Sequence, residues 1–213
     1  MAAPGLGPVI PARDSHFPQN FHQEPMTRIS LKQRQDLPEH LHPLWDRMLG
    51  YGDFADSAGV MAHRLPVFAH SWRLLTDLAD EALLPKRYLE LALVAVSLLN
   101  ECPYCVAHHT PKLSIQGISE QGATQILDYA AHPELDAVDR LVVEYAITVT
   151  RHWNRTRDEI FDRLKQHFSE AQIVELTWRI ALCGAFNRFN DVLQVESAQP
   201  APADAQHETP SPA

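Results

Sequence analysis

Lys86-Arg-Tyr-Leu-Glu-Leu-Ala-Leu-Val-Ala-Val-Ser-Leu-Leu-Asn-Glu-Cys-Pro-Tyr-Cys-Val-Ala-His-His109 joins an apolar run directly to a pair of cysteines. Leu89, Leu93, Val96 and Leu99 recur at helical spacing with Val94 and Leu98 beside them, so the run reads as a helix. Asn100 tolerates the left-handed conformation common just past a helix end. Pro103 suits the first position of a second helix, where its missing amide does least harm. Cys102 then falls at the cap of that helix and Cys105 in its first turn.

The same periodicity runs outward in both directions. Leu74, Leu75, Leu78 and Leu83 fit one helical face upstream. Downstream, Ser119 followed by Gln121 and Gly122 resembles a helix start, and Asp136 precedes a run through Leu141, Val142, Tyr145 and Val149. Ser169 with Gln172 forms a capping box opening a long helix that carries Ile173, Leu176, Ile180, Cys183 and Asn187. Pro66, Pro85, Pro103, Pro111 and Pro133 are expected at helix starts or connections. The fold class that follows is all-α, a helical bundle with the C-x-x-C at a helix N-terminus.

The ends differ in composition from the middle. Residues 1–25 are rich in Pro, Gly and Ala without apolar period, and residues 197–213 form a Pro/Ala-rich tail. Neither can bury enough apolar surface to offset its ordering entropy, so two flexible tails are expected around one domain at 26–196. Met26 opens the globular pattern and is a candidate alternative start. Mass spectrometry of the natively expressed protein tests this, and an intact Met1 start overturns it.

Composition narrows the function. The chain has 213 residues, 27 acidic against 18 basic, and a formal charge of -9. No basic tract is long enough to track a phosphate backbone, which argues against a nucleic-acid partner. The longest apolar stretch, Leu89 to Leu99, contains Glu90 and Ser97 and is far shorter than the roughly 20 residues a membrane helix needs, so no membrane span is expected. Three cysteines, two of them three positions apart in a C-x-x-C, do not resemble a secreted disulfide framework. They indicate reactive thiols in a reducing compartment, and a cytoplasmic location is expected.

The cysteines bring their own chemistry. Unpaired amides at a helix start favour an anion and lower a thiol's pKa, although Glu101 opposes this unless its side chain points into solvent. His109 lies four residues after Cys105, one turn along the same face, where an imidazole can take the thiol proton or stabilise the thiolate. His108 is rotated away by about 100 degrees and should not reach that sulfur. Glu90 sits in an otherwise apolar stretch and needs a partner. If the two helices pack antiparallel, it meets His109 directly or through a water and raises the ring's basicity; the alternative is a structural ion pair with Lys86 or Arg87.

Glu90, Cys102, Tyr104, Cys105 and His109 together resemble the E-x11-C-x-[HY]-C-x-x-x-H motif of AhpD-like alkylhydroperoxidases, within the carboxymuconolactone decarboxylase superfamily. The similarity runs from Met61 to Asn190. The resemblance implies an AhpD-like helical bundle, assembled as a homo-oligomer in trimers or multiples of trimers. It implies an antioxidant oxidoreductase in which Cys105 is the peroxidatic thiol and Cys102 the resolving thiol. His109 would be the base and Glu90 its relay, with Tyr104 in the substrate or proton network where founding members carry histidine. An external dithiol would reduce the resulting disulfide, with no metal or organic cofactor taking part.

Other readings compete with this one. Half a zinc site is the competing reading of the C-x-x-C, but no second C-x-x-C or H-x3-H completes four ligands. A decarboxylase or lyase of the carboxymuconolactone type would rely on acid and base groups and make the dithiol dispensable. A thiol-disulfide reductase or redox sensor would keep the dithiol without peroxide turnover. Cys183, in an apolar helical context, reads as a core residue, and Asn187, Arg188 and Asn190 as pocket or oligomer contacts.

Overall fold

The computed structural model describes residues 27–195; the two expected tails lie outside the described residues. Nine α-helices occur in the described part: α1 His42–Tyr51, α2 Ala55–Met61, α3 Leu65–Glu81, α4 Lys86–Leu99, α5 Pro103–Ile115, α6 Glu120–Thr124, α7 Ala137–His152, α8 Asp158–Leu164 and α9 Glu170–Leu193. Short 3-10 turns link several of them, and no strand is present among the described residues.

Helix α4 organises the bundle. Residues 90–97 are all buried, as befits a helix apolar all round, and it packs against α5, α7 and α9. Arg87 near its start forks onto Asp139 of α7, with Nη2–Oδ2 at 2.6 Å and Nε–Oδ1 at 3.0 Å, and also donates to the Gln116 and Glu134 carbonyls. One side chain thereby ties the start of α4 to the buried Asp139 carboxylate and to the carbonyls that follow α5 and precede α7.

The helix starts follow local sequence. Ser169 and Gln172 exchange hydrogen bonds as a capping box, Asp136 does the same with Asp139, and Ser119 accepts from the Gly122 amide. Three expectations change. Pro111 lies inside α5, at the cost of the amide that would have reached back one turn. Leu83 is exposed and its neighbour Leu84 takes the core position, because α3 has already ended at Ala82 in the left-handed conformation. The left-handed residue after α4 is Glu101, with φ of 53°, while Asn100 keeps φ of -94°. The Glu101 amide donates to Leu98 and the Cys102 amide to Ser97, a Schellman closure that leaves Glu101 exposed and turns the chain straight into α5.

Buried apolar side chains fall into two clusters. One gathers α4, α7, α8 and much of α9; the other gathers α1, α2 and α3 and includes Cys102, Tyr104 and Cys105. The cysteines therefore lie where the two halves of the core meet. The stretch before α1 is held across the second cluster: Arg28 bonds to the end of α9 and the Lys32 amide to the Gly59 carbonyl. A Cβ on Gly59 would sit 2.7 Å from the Lys32 carbonyl oxygen, so this crossing needs glycine.

Candidate active site

Cys102 is the N-cap residue of α5 and Pro103 begins the helix. The sulfurs of Cys102 and Cys105 are both buried, unbonded and 2.9 Å apart, with the Cys102 thiol donating to Cys105. Asn190 of α9 donates a second hydrogen bond to Cys105 Sγ at 3.6 Å, and its own carbonyl is held by the Ser57 hydroxyl of α2 at 2.8 Å. The Cys105 pKa is lowered, chiefly by the hydrogen bond from Cys102, against the penalty of burial and with help from the Asn187 and Asn190 amides. Cys102 is shifted the opposite way by the same hydrogen bond and by burial. Two thiols of identical chemistry are thus made unequal, with Cys105 the more acidic of the pair and Cys102 the hydrogen-bond donor.

Glu90 and His109 meet directly, Oε2 to Nδ1 at 2.8 Å, both buried. A carboxylate accepts only, so Nδ1 carries the proton and Nε2 is left as the basic nitrogen. Arg87 is committed to Asp139, so Glu90 does not serve as its ion-pair partner. His109 and Cys105 line one pocket, and no hydrogen bond joins them. His108 turns elsewhere, stacking on Tyr104 at 4.1 Å between centroids and bonding to its carbonyl at 2.7 Å. The Tyr104 hydroxyl is buried without a well-formed hydrogen bond, and burial pushes its pKa up.

The pocket holds about 50 Å³ of free space, room for a few water-sized groups. Phe54, Trp72, Leu75, Leu93, Leu182 and Phe186 give it an apolar wall, and Cys105, His109, Tyr51 and Arg179 supply its chemistry. Cys183 also borders it. Its thiol touches Ser97 and Asn187, and burial pushes its pKa up to about 12, so it stays protonated near neutrality. Among the described residues no three His, Cys, Asp or Glu side chains converge to hold a metal ion, and no helix is long and apolar enough to cross a membrane.

Sequence reasoning placed Glu90, Cys102, Tyr104, Cys105 and His109 together, and all five lie at or beside this pocket. It missed Tyr51, Ser57 and Arg179 and gave Asn190 no part in the thiol chemistry. Each comes from a distant helix without a local motif.

An all-helical protein with a buried dithiol of unequal acidity beside a histidine–glutamate pair is a recognisable class. Residues 66–132 match the carboxymuconolactone decarboxylase family. The fold is shared with the debrominase Bmp8, with a TM-score of 0.66 and 19% identity over 79% of this chain and 90% of that one. It is shared equally with an uncharacterised peroxidase-related protein with an AhpD core from Ralstonia eutropha JMP134, at TM-score 0.66 and 22% identity over 83% and 94% of the two chains. A peroxidase-related protein from Silicibacter sp. TM1040 aligns at TM-score 0.56 and 20% identity over 80% and 94%. No curated protein matches the chain significantly. Over residues 66–132 the chain resembles the carboxymuconolactone decarboxylase family, and its fold is the AhpD-like helical fold of these structures.

Proposed function

We propose that the protein is a thiol-dependent peroxidase that reduces alkyl or hydrogen peroxide through a Cys102/Cys105 cycle. The observation that carries this reading is the unequal pair itself: Cys105 is held towards thiolate by hydrogen bonds and borders the pocket, with Cys102 in contact behind it. The Cys105 thiolate attacks the peroxide O–O bond, taking one oxygen as sulfenic acid and releasing alcohol or water. The Cys102 thiol then displaces that oxygen as water to form the disulfide, and an external dithiol returns both thiols while becoming oxidised itself. His109 Nε2 is the group that moves the proton to the leaving oxygen, steered by Glu90, and Tyr104 fixes His108 beside the pair. No step needs a metal or organic cofactor.

Peroxide consumption with a regenerating dithiol tests this on the wild type and on Cys105→Ser, Cys102→Ser and His109→Ala. Turnover should vanish in both cysteine variants and fall by about 100-fold in His109→Ala, the scale of a lost acid–base group. Undiminished turnover in Cys105→Ser would exclude the mechanism.

A second reading draws on the likeness to a debrominase and on the aromatic wall of the pocket. The same thiolate could take a halogen from a small aromatic ring, which gains a proton in exchange, and Cys102 would then expel halide to form the same disulfide. A lyase of the carboxymuconolactone type gives the dithiol no part and has less support. The free vicinal thiols favour the cytoplasm. A homo-oligomer is supported by α9, where Val174, Trp178, Ala181, Ala185, Arg188 and Val192 are all exposed at the alternating four- and three-residue spacing of a helix-packing seam.

A further inference from the structure

Arg179 of α9 is only 3% exposed, yet among the described residues no carboxylate lies within ion-pairing distance of it. Arg34, Arg87 and Arg163 each hold one, and Arg47 holds two. A guanidinium has five N–H donors, and the described partner of this one is the Tyr51 hydroxyl, which accepts from Nη2. A buried cation without a counter-charge is costly.

No neighbouring carboxylate among the described residues closes a contact ion pair with it. Glu90 is committed to His109. Glu175, one turn earlier on α9, feels the Arg179 charge but lies outside ion-pairing distance of it, and burial raises its carboxyl pKa. Lys112 adds a second cation behind the same wall, its ammonium 4.8 Å from the Tyr51 ring centroid and 4.5 Å from that of Phe54, although burial lowers its pKa. Arg179 and Tyr51 nevertheless line the pocket that contains Cys105.

We propose that Arg179 and the Tyr51 hydroxyl form an anion-recognising end of the Cys105 pocket, so that the preferred substrate is a small peroxide carrying one carboxylate on an apolar body. The carboxylate completes the ion pair that the protein leaves open, the aromatic wall takes the apolar body, and the peroxide group faces Cys105. The peroxide part of this assignment rests on the peroxidase reading; the anion site does not.

Alkylation separates the two. Iodoacetate and iodoacetamide are nearly equal in size and differ in charge, and each reacts when the Cys105 thiolate attacks the CH2 group and expels iodide. Ordinary thiolates favour the neutral reagent. Peptide-resolved mass spectrometry of the intact, reduced full chain should show Cys105 favouring iodoacetate by about tenfold, the scale of one charge-assisted hydrogen bond. Arg179→Met should reverse that ratio, Arg179→Lys should keep much of it, and Tyr51→Phe, which removes one oxygen, should lower it. A wild-type preference for iodoacetamide, or a ratio indifferent to all three substitutions, overturns the proposal. Because no peroxide takes part, an absence of peroxidase turnover leaves this readout intact.

Discussion

Cys105 accepts hydrogen bonds from Cys102 and Asn190, and Cys102 spends its proton on Cys105. Because the Cys105 pKa is lowered, its thiolate fraction should rise with pH and level off below the range of an ordinary cysteine, about 8.5. Cys102→Ala removes the largest cause of the shift, so the midpoint of the pH–rate profile for alkylation of Cys105 by iodoacetamide should move upward. An unmoved midpoint would mean that Cys102 does not hold the thiolate. Glu90→Gln keeps the shape of the side chain and removes the charge that faces His109; peroxide turnover should fall by about 10- to 100-fold while the alkylation midpoint stays where it was, as expected of a lost acid–base partner. At this scale the sequence was readable where partners are close along the chain. The four-residue step from Cys105 to His109 and the isolated charge of Glu90 were visible in one stretch. Ser57, Arg179 and the hydrogen bond from Asn190 to the sulfur were not, because tertiary packing alone brings α2 and α9 to the site.

The polar groups that hold α4 in place are as specific as those of the site. Asp139 is fully buried, caps α7 with Asp136 and binds Arg87 in a fork. Asp139→Ala strands the guanidinium and opens the cap, and should destabilise the fold by about 3 kcal/mol, read as a lowered midpoint in chemical denaturation. A change below about 0.5 kcal/mol would show that the pair is solvent-screened and structurally idle. Most helix starts were legible because capping depends on residues three apart. Helix ends were less so. The turn after α4 places its left-handed residue at Glu101, which no propensity favours, because the Schellman bonds to Ser97 and Leu98 determine where it falls. Pro111 lies inside α5 between the buried His109 and Leu113, at the cost of one amide bond that no spacing rule records.

Two hydrophobic clusters meet at the dithiol, and the long helix α9 crosses both, carrying Asn190 and Arg179 to the pocket on one side and an exposed seam on the other. Trp178 is 52% exposed at the middle of that seam. Trp178→Glu should therefore shift the sedimentation coefficient towards a smaller species; a wild-type chain that already sediments as a monomer would overturn the oligomer proposal. The all-helical class was evident from periodicity, whereas the division of the core into two clusters was not, since no local pattern records which helices share a face. The account as a whole stands on what a peroxide does to the reduced full-length chain. After one equivalent of hydrogen peroxide, peptide mass spectrometry should find Cys102 and Cys105 joined as a disulfide in the wild type and a trappable sulfenic acid on Cys105 in Cys102→Ser. Cys105 left as a free thiol in both, or the oxygen found on Cys102 or Cys183 instead, would contradict it.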